Sequence, residues 1–488
     1  MGIAIRTLGG RDVLIPDNAL EQLRHALRGR LLTRSVAGYD DARTIWNAMI
    51  DRRPALIAQC VDANDVAHAV RFARESSLLT SVRGGGHNIA GNAVNDDGFV
   101  IDLSPMRSVV LDRARRTVRV GGGATLGDID KETQAHGLAT PLGINSTTGV
   151  AGLTLGGGFG WLSRRFGLSS DNLRSAQVVT ANGESVRAST TENADLFWGL
   201  RGGGGNFGVV TSFEFAVHPV GPTVLAGLIV HPLDDAKDVL RFYRSFAPDT
   251  PDELAVWFVM RKAPPLPFLP VTWHGREILV LAACYSGEIA DGERILEPLR
   301  HFGHPIADVI GPQPFAAWQQ ALDPLLTPGM RNYWKSHDFL DLDDGLIDVL
   351  TDFARRLPDP NTEIAFAQLG GAIGRLTNAE SAYARRDAQY LVNVHGRWAD
   401  RSADEKGIGW ARELFDAAAP YSMGSVYVNF LSSDDENRVR AAYGANYERL
   451  VALKNRFDPT NLFRVNQNIR PTPYNLPTAG APEARPIA

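Results

Sequence analysis

The chain has very little cysteine. Only Cys60 and Cys284 occur among 488 residues, and neither lies in a ligand-spaced pair. A disulfide framework is excluded as the source of stability, and so is a cysteine-based metal site. Two isolated cysteines read as small buried hydrophobes in a reducing setting, so a cytoplasmic location is expected. Long apolar runs are also missing. Nothing approaches the ~18 consecutive apolar residues of a membrane helix. The opening "MGIAIRTLGG" has no charged stretch leading into an apolar one, so no secretory signal is expected. There is no excess of one charge: 50 Lys+Arg stand against 55 Asp+Glu, a net charge of -5. Attraction for nucleic acid is therefore not expected. The eleven histidines are scattered, and no metal site is expected. These absences leave the composition expected of a soluble globular protein, with its oligomeric state unspecified.

Glycine is plentiful, and it is clustered. Of 48 glycines, many fall in Gly84–Gly86, Gly121–Gly123, Gly156–Gly160 and Gly202–Gly208. Each cluster adjoins an apolar segment with strand-like alternation. "PALIAQC" reads as a strand, and Asp62 caps a helix whose Val66, Ala69, Val70 and Ala73 share one face. "LLTSV" then returns as a strand and runs into "RGGGHN". Successive glycine N–H groups can turn inward as an anion nest, and the missing Cβ atoms let a phosphate approach the backbone. Four clusters at strand ends within the first 210 residues point to one shared cofactor site, with a diphosphate as the natural guest.

Two familiar nucleotide motifs do not apply. "GGGNFG" (203–208) matches G-x-G-x-x-G, but it follows a helical segment and opens a strand, the reverse of the dinucleotide context. No cluster is followed by the G-K-[ST] of a phosphate loop. Further reading gives helices over Ala19–Leu27 and Asp40–Ile50. A capped helix starts at Thr125 with Asp128 three residues on, and one amphipathic helix carries Val439, Tyr443, Tyr447, Leu450 and Val451. Between about 221 and 424 the glycine clusters stop and tryptophan and proline increase, which marks a second domain.

"SVRGGGHN", "GVAGLTLGGGFGWLSRRFGLSSDNL" (149–173), "LFWGLRGGGGNFGVVTSFEF" (196–215), "YVNF" (427–430) and "YERLVALKNRFDPTNLFRVNQNI" (447–469) together resemble flavoproteins of the vanillyl-alcohol oxidase type. The resemblance is to the berberine-bridge-enzyme-like branch. It implies an α+β, two-domain FAD-binding fold. The flavin domain is discontinuous, with residues 1–220 rejoined by a C-terminal return over 425–471. A substrate domain of sheet plus helices spans 221–424, and the Pro/Ala-rich tail 472–488 is expected to be disordered.

Residue by residue, the resemblance implies that Arg83, Gly84, Gly85, Gly86 and Asn88 hold the FAD diphosphate and that His87 bonds covalently to the flavin. Doubly linked members carry a cysteine where this chain has Asn145, so His87 is expected to be the single tether. Further flavin contacts fall on Thr147, Thr148, Gly149, Gly152, Gly157, Gly158, Gly160, Asn206, Gly208, Val209, Asn466 and Asn468, and on Tyr427 and Asn429 of a C-terminal strand beside the flavin ring. Thr148 matches a position that gates oxygen, where a β-branched residue goes with oxidases. The base is less plain, because Phe430 replaces the tyrosine that ends the family's "Y-x-N-Y". Glu380 and Tyr427 are the catalytic candidates. Trp257, Trp273, Trp318, Tyr333, Trp334 and Lys335 are candidates for a substrate pocket. The implied reaction is hydride removal from an alcohol or amine C–H, with electrons passing to oxygen to give hydrogen peroxide. An FAD dehydrogenase with another acceptor, or a flavin- or drug-binding resistance protein with little turnover, are the competing expectations.

Overall fold

The structure is a computed structural model, and it describes residues 2–472. The expected disordered tail thus lies outside the described residues, apart from Thr472. The first sheet is small and mostly parallel. Its strands run in the order Arg30–Leu32, Leu56–Gln59, Phe99–Asp102, Thr80–Arg83. The helix Ala63–Glu75 makes the crossover between two of them. Asp62 caps it, accepting from the backbone N–H of Asn64 and Asp65, while Val66, Ala69, Val70 and Ala73 are fully buried. The loop 84–88 therefore starts at the C-terminal edge of a parallel strand, where open α/β sheets bind ligands.

A second, antiparallel sheet lies beside it, in the order Ser185–Ser189, Leu173–Val179, Val209–Ala216, Thr117–Gly121, Val109–Asp112. The expected capping box forms between Thr125 and Asp128 at the head of the helix Leu126–Gln134. The third sheet is large and antiparallel. From Thr223–Pro232 its strands run Glu277–Tyr285, Leu254–Lys262, Glu363–Gln368, Tyr390–Trp398 and, at the edge, Arg331–Phe339. Along these strands side chains alternate between faces. Phe258, Ile364, Phe366, Val392 and Val394 pack under the helices Ala236–Phe246, Asp344–Ala354 and Asp404–Ala418. Trp257, Ala367 and Leu391 face the other way, toward Phe159, Trp161 and Tyr427. The large sheet thus forms a roof over the first two.

Three local expectations are corrected. Asp40–Ile50 is helical only over Tyr39–Arg43, after which Trp46 and Asn47 reach across to the roof. The segment around Tyr427 is a short 3-10 turn, Val428–Phe430, and not a strand. The amphipathic helix near the C-terminus is broken at Gly444, whose φ of +49° ends Val439–Tyr443 before Tyr447–Phe457 begins. Both cysteines are free and buried, as expected.

The C-terminal return is locked by a fully buried lysine. Lys454 Nζ bonds to Asp458 Oδ2 at 2.7 Å and to the carbonyls of Asn206 and Phe463, each at 2.9 Å. Removing one partner of a buried, hydrogen-bonded pair typically costs about 3–5 kcal/mol. Lys454→Met is accordingly expected to lower the unfolding free energy by about that amount, as measured by urea denaturation.

Candidate active site

One cavity of about 340 Å³ runs between the glycine loops and the roof. Its floor comprises Gly84–Asn88, Asn145, Thr148, Gly149, Gly152, Gly204–Asn206, Gly208 and Val209. The C-terminal return adds Tyr427, Asn429, Phe430 and Asn466. Trp257, Trp334, Glu363, Asn393 and His395 descend from the roof sheet.

The three glycines of "RGGGH" have different reasons to be bare. A Cβ on Gly85 would lie 2.4 Å from the backbone N of Gly149, so its bareness lets two loops pack backbone to backbone. Gly86 has φ +71°, a left-handed conformation that glycine adopts without cost. Gly84 sits close to Gly122 O, at 3.3 Å from a notional Cβ. The loop is thereby pressed into a fixed curve. Among the described residues nothing accepts a hydrogen bond from the N–H groups of Gly84 to Asn88. A curved row of free donors is an anion cradle. Gly152 and Gly205 also line the cavity, and a Cβ on either would meet no protein atom within 4 Å. Asn466 Oδ1 is buried with no partner, although its Nδ2 bonds to Gly205 O at 3.1 Å and Phe463 O at 2.9 Å. Free donors, bare backbone and an orphaned acceptor fit the diphosphate and polar edges of FAD.

His87 stands at the end of the cradle. Its ring stacks on Trp46 at 5.2 Å, with Nε2 2.9 Å from Thr147 Oγ1 and Nδ1 3.5 Å from Thr148 Oγ1. Burial pulls its pKa down to about 4, so the imidazole is neutral at pH 7. A neutral imidazole is the nucleophilic form.

Several expected contacts support the site, most of them from outside the cavity lining. Arg83 binds Ala42 O and braces the strand end. Gly157, Gly158 and Gly160 are bare because Tyr383, Ser169 and Leu142 O pack against them. Gly158 N–H also donates to Tyr427 Oη at 3.0 Å. Asn206 ties its loop to the return through Gly203 O, Gln467 O and Ile469 N–H. Asn468 has a buried, unpartnered Oδ1 but does not line the cavity.

Glu380 is not in the site. It is exposed, and its carboxylate caps a turn by accepting from Thr377 N–H at 2.9 Å and Oγ1 at 3.0 Å. It does not line the cavity, contrary to its expected place as a base. Tyr427 does line the cavity. Burial pushes its pKa to about 12, and its Oη already accepts from Gly158 N–H and Asn429 Nδ2. Such a phenol donates its own proton readily as a hydrogen bond and gives it up poorly. Of the aromatic candidates, Trp257 and Trp334 face the cavity. Trp318 is core beside Trp161, and Trp273 stacks under Arg276. Tyr333 and Lys335, one residue either side of Trp334, point away and bind Asp434.

The roof groups Glu363, Asn393 and His395 are absent from the expected set. Glu363 pairs with Arg261 at 2.7 Å and with His395 Nδ1 at 3.1 Å. Burial opposes its ionisation, but Arg261 and His395 outweigh that and hold the carboxyl at about 2. Burial pulls the His395 pKa down as well. His395 Nε2 is 3.2 Å from Asn332 Oδ1, so each ring nitrogen faces an acceptor oxygen, and a neutral ring can donate to only one of them. Period-two alternation in "YLVNVHGRW" carries the signal, since Asn393, His395 and Arg397 fall on one face of an otherwise apolar strand.

Comparison with known proteins agrees with this geometry. The FAD binding domain family matches residues 54–189, and the berberine and berberine-like family matches 426–470. An FAD-linked oxidoreductase of Dictyostelium discoideum is 32% identical over 431 residues, covering 87% of this chain and 91% of the relative. The (R)-6-hydroxynicotine oxidase of Paenarthrobacter nicotinovorans is 32% identical over 461 residues, covering 91% and 97%. The solved 6-hydroxy-D-nicotine oxidase of Arthrobacter nicotinovorans superposes with a TM-score of 0.82 at 29% identity, covering 91% of this chain and 98% of that one. A xylooligosaccharide oxidase of Myceliophthora thermophila, at 24% identity and TM-score 0.82 over 93% and 99%, shares the fold. The fold is the two-domain α+β arrangement of vanillyl-alcohol oxidase type flavoproteins. The chain belongs to the FAD-linked oxidoreductases, in their berberine-bridge-enzyme-like branch.

Two glycine substitutions separate packing from cofactor binding. Gly85→Ala collides with Gly149 and is expected to lower both the denaturation midpoint and the FAD content. Gly152→Ala meets no protein atom, so the midpoint is expected to hold while the flavin-to-protein absorbance ratio falls.

Proposed function

We propose that this enzyme oxidises a small amine by hydride removal at the C–H beside nitrogen, passes the electrons to oxygen, and holds FAD covalently through His87 alone. The observation that carries the preference for an amine is the lack of a free base around the cavity among the described residues. FAD, when bound, supplies the hydride acceptor and the route of electrons to oxygen. Alcohol oxidation also needs a group to take the hydroxyl proton. Glu363 is too weak a base at about 2, Tyr427 holds its proton to about 12, and each ring nitrogen of His395 faces a roof oxygen, Glu363 Oε1 or Asn332 Oδ1. A neutral amine needs no such group, because its lone pair stabilises the carbon as the hydride leaves.

The remaining residues position the substrate. Trp257, Trp334, Phe159 and Phe430 offer apolar ring surface, and the O–H of Tyr427 is left to donate into the cavity. Thr148 beside His87 leaves the floor less crowded than a longer side chain would, which suits access by oxygen. The likeness to (R)-6-hydroxynicotine oxidase supports an amine, while the oligosaccharide oxidases share only the fold.

Anaerobic mixing with matched amines and alcohols, read as bleaching of the flavin band, tests this. Amines are expected to reduce the flavin at least 100-fold faster than the alcohols. The rate should rise with pH toward each amine's own pKa and show no second ionisation between pH 6 and 9. Fast reduction by alcohols with an enzyme ionisation in that range would overturn the reading. Air reoxidation is expected to release one hydrogen peroxide per turnover.

A further inference from the structure

We propose that Asn145 and Thr147 are positioning residues that fix the tautomer of His87, so that Nδ1 is the nitrogen that bonds to the flavin. This rests on the reading of His87 as the covalent tether. Asn145 Nδ2 donates to Leu326 O at 3.2 Å, which sets the sense of the amide. Its Oδ1 then faces Thr147 and accepts twice, from the backbone N–H at 3.0 Å and from the hydroxyl at 2.6 Å. The hydroxyl proton of Thr147 is thereby committed. Only oxygen lone pairs remain for Nε2 of His87, 2.9 Å away, so Nε2 must carry the ring proton.

In a neutral imidazole with Nε2–H, the lone pair sits on Nδ1. The sole hydroxyl near Nδ1, that of Thr148, is 3.5 Å away, at the limit of a hydrogen bond. The stack on Trp46 fixes the ring plane. Asn145 is therefore more than the absence of a second tether: its amide accepts two bonds at once, which a thiol does poorly.

The bond that forms joins Nδ1 to the 8α carbon of the flavin, and the bond that breaks is one 8α C–H. The methyl proton and the Nε2 proton are both released, and they balance the two protons that the reduced flavin takes up. The electron pair of the broken C–H remains in the flavin, which takes up two protons and is left reduced by two electrons. Molecular oxygen then removes those two electrons and two protons as hydrogen peroxide.

The test compares wild type with Thr147→Val, Thr147→Ser and Asn145→Ala. Total FAD is measured by absorbance of the native protein, and the covalent share by flavin fluorescence in a denaturing gel. Wild type is expected to hold nearly all its flavin covalently. Thr147→Val should still bind FAD but form the covalent bond at least ten-fold more slowly, and Thr147→Ser should restore the rate. Asn145→Ala should show an intermediate loss, and it carries the comparison if Thr147→Val takes up no FAD. NMR of the wild-type flavin peptide is expected to show substitution at Nδ1. Substitution at Nε2, or unchanged rates in the variants that bind FAD, would overturn the positioning role. Wild type with FAD bound and none covalent would instead overturn the tether itself, and the positioning role with it.

Discussion

The indole of Trp46 stacks on the imidazole of His87 with 23° between the ring planes, and much of the site depends on that contact. The same indole meets Trp334 of the roof edge-on at 5.8 Å and receives the guanidinium of Arg397 at 5.2 Å. Its Nε1–H donates to Leu326 O, the carbonyl that also orients Asn145. Asn47 continues the link by donating to Ile89 O of the flavin loop and Asn332 O of the roof. Five consecutive non-helical residues, 44–48, thus join the cofactor loop to the substrate sheet. The helix stops at Arg43 because a continued helix could not reach both sides.

The roof carries charge without offering reactivity. Arg261, Glu363, His395 and Asn332 form a buried chain in which each member is committed to its neighbour. Leaving such a group unpaired is expensive, so the chain holds Glu363 and His395 in one geometry above the cavity. The floor is arranged in the opposite way. Its backbone donors are left unpaired and its glycines leave backbone exposed, so the cofactor completes the site. The charged groups of the roof are paired, but Asn393 Oδ1 and the indole N–H groups of Trp257 and Trp334 are left without partners among the described residues over the cavity, as the floor donors are below it.

The flavin half was legible in the sequence because its constraints are local. Glycine is needed where chain packs on chain or φ is positive, and such positions cluster and carry motifs. The packing reason was not legible. Gly85 is bare for Gly149 and Gly157 for Tyr383, partners that only the fold brings together. The roof was harder to read, because Glu363 and His395 lie 32 residues apart and meet only through strand register. The misplacing of Glu380 was avoidable. "TNAE" is a Thr-x-x-Glu pattern, which commonly closes on itself as a cap, and here it does.

The central claim is that this cavity holds FAD with His87 as its single tether, and peptide mapping of the denatured holoenzyme tests it most directly. The account predicts flavin absorbance and the flavin mass on one peptide only, the one containing His87. Flavin on any other peptide, or colourless peptides from a protein that was yellow when folded, would contradict it.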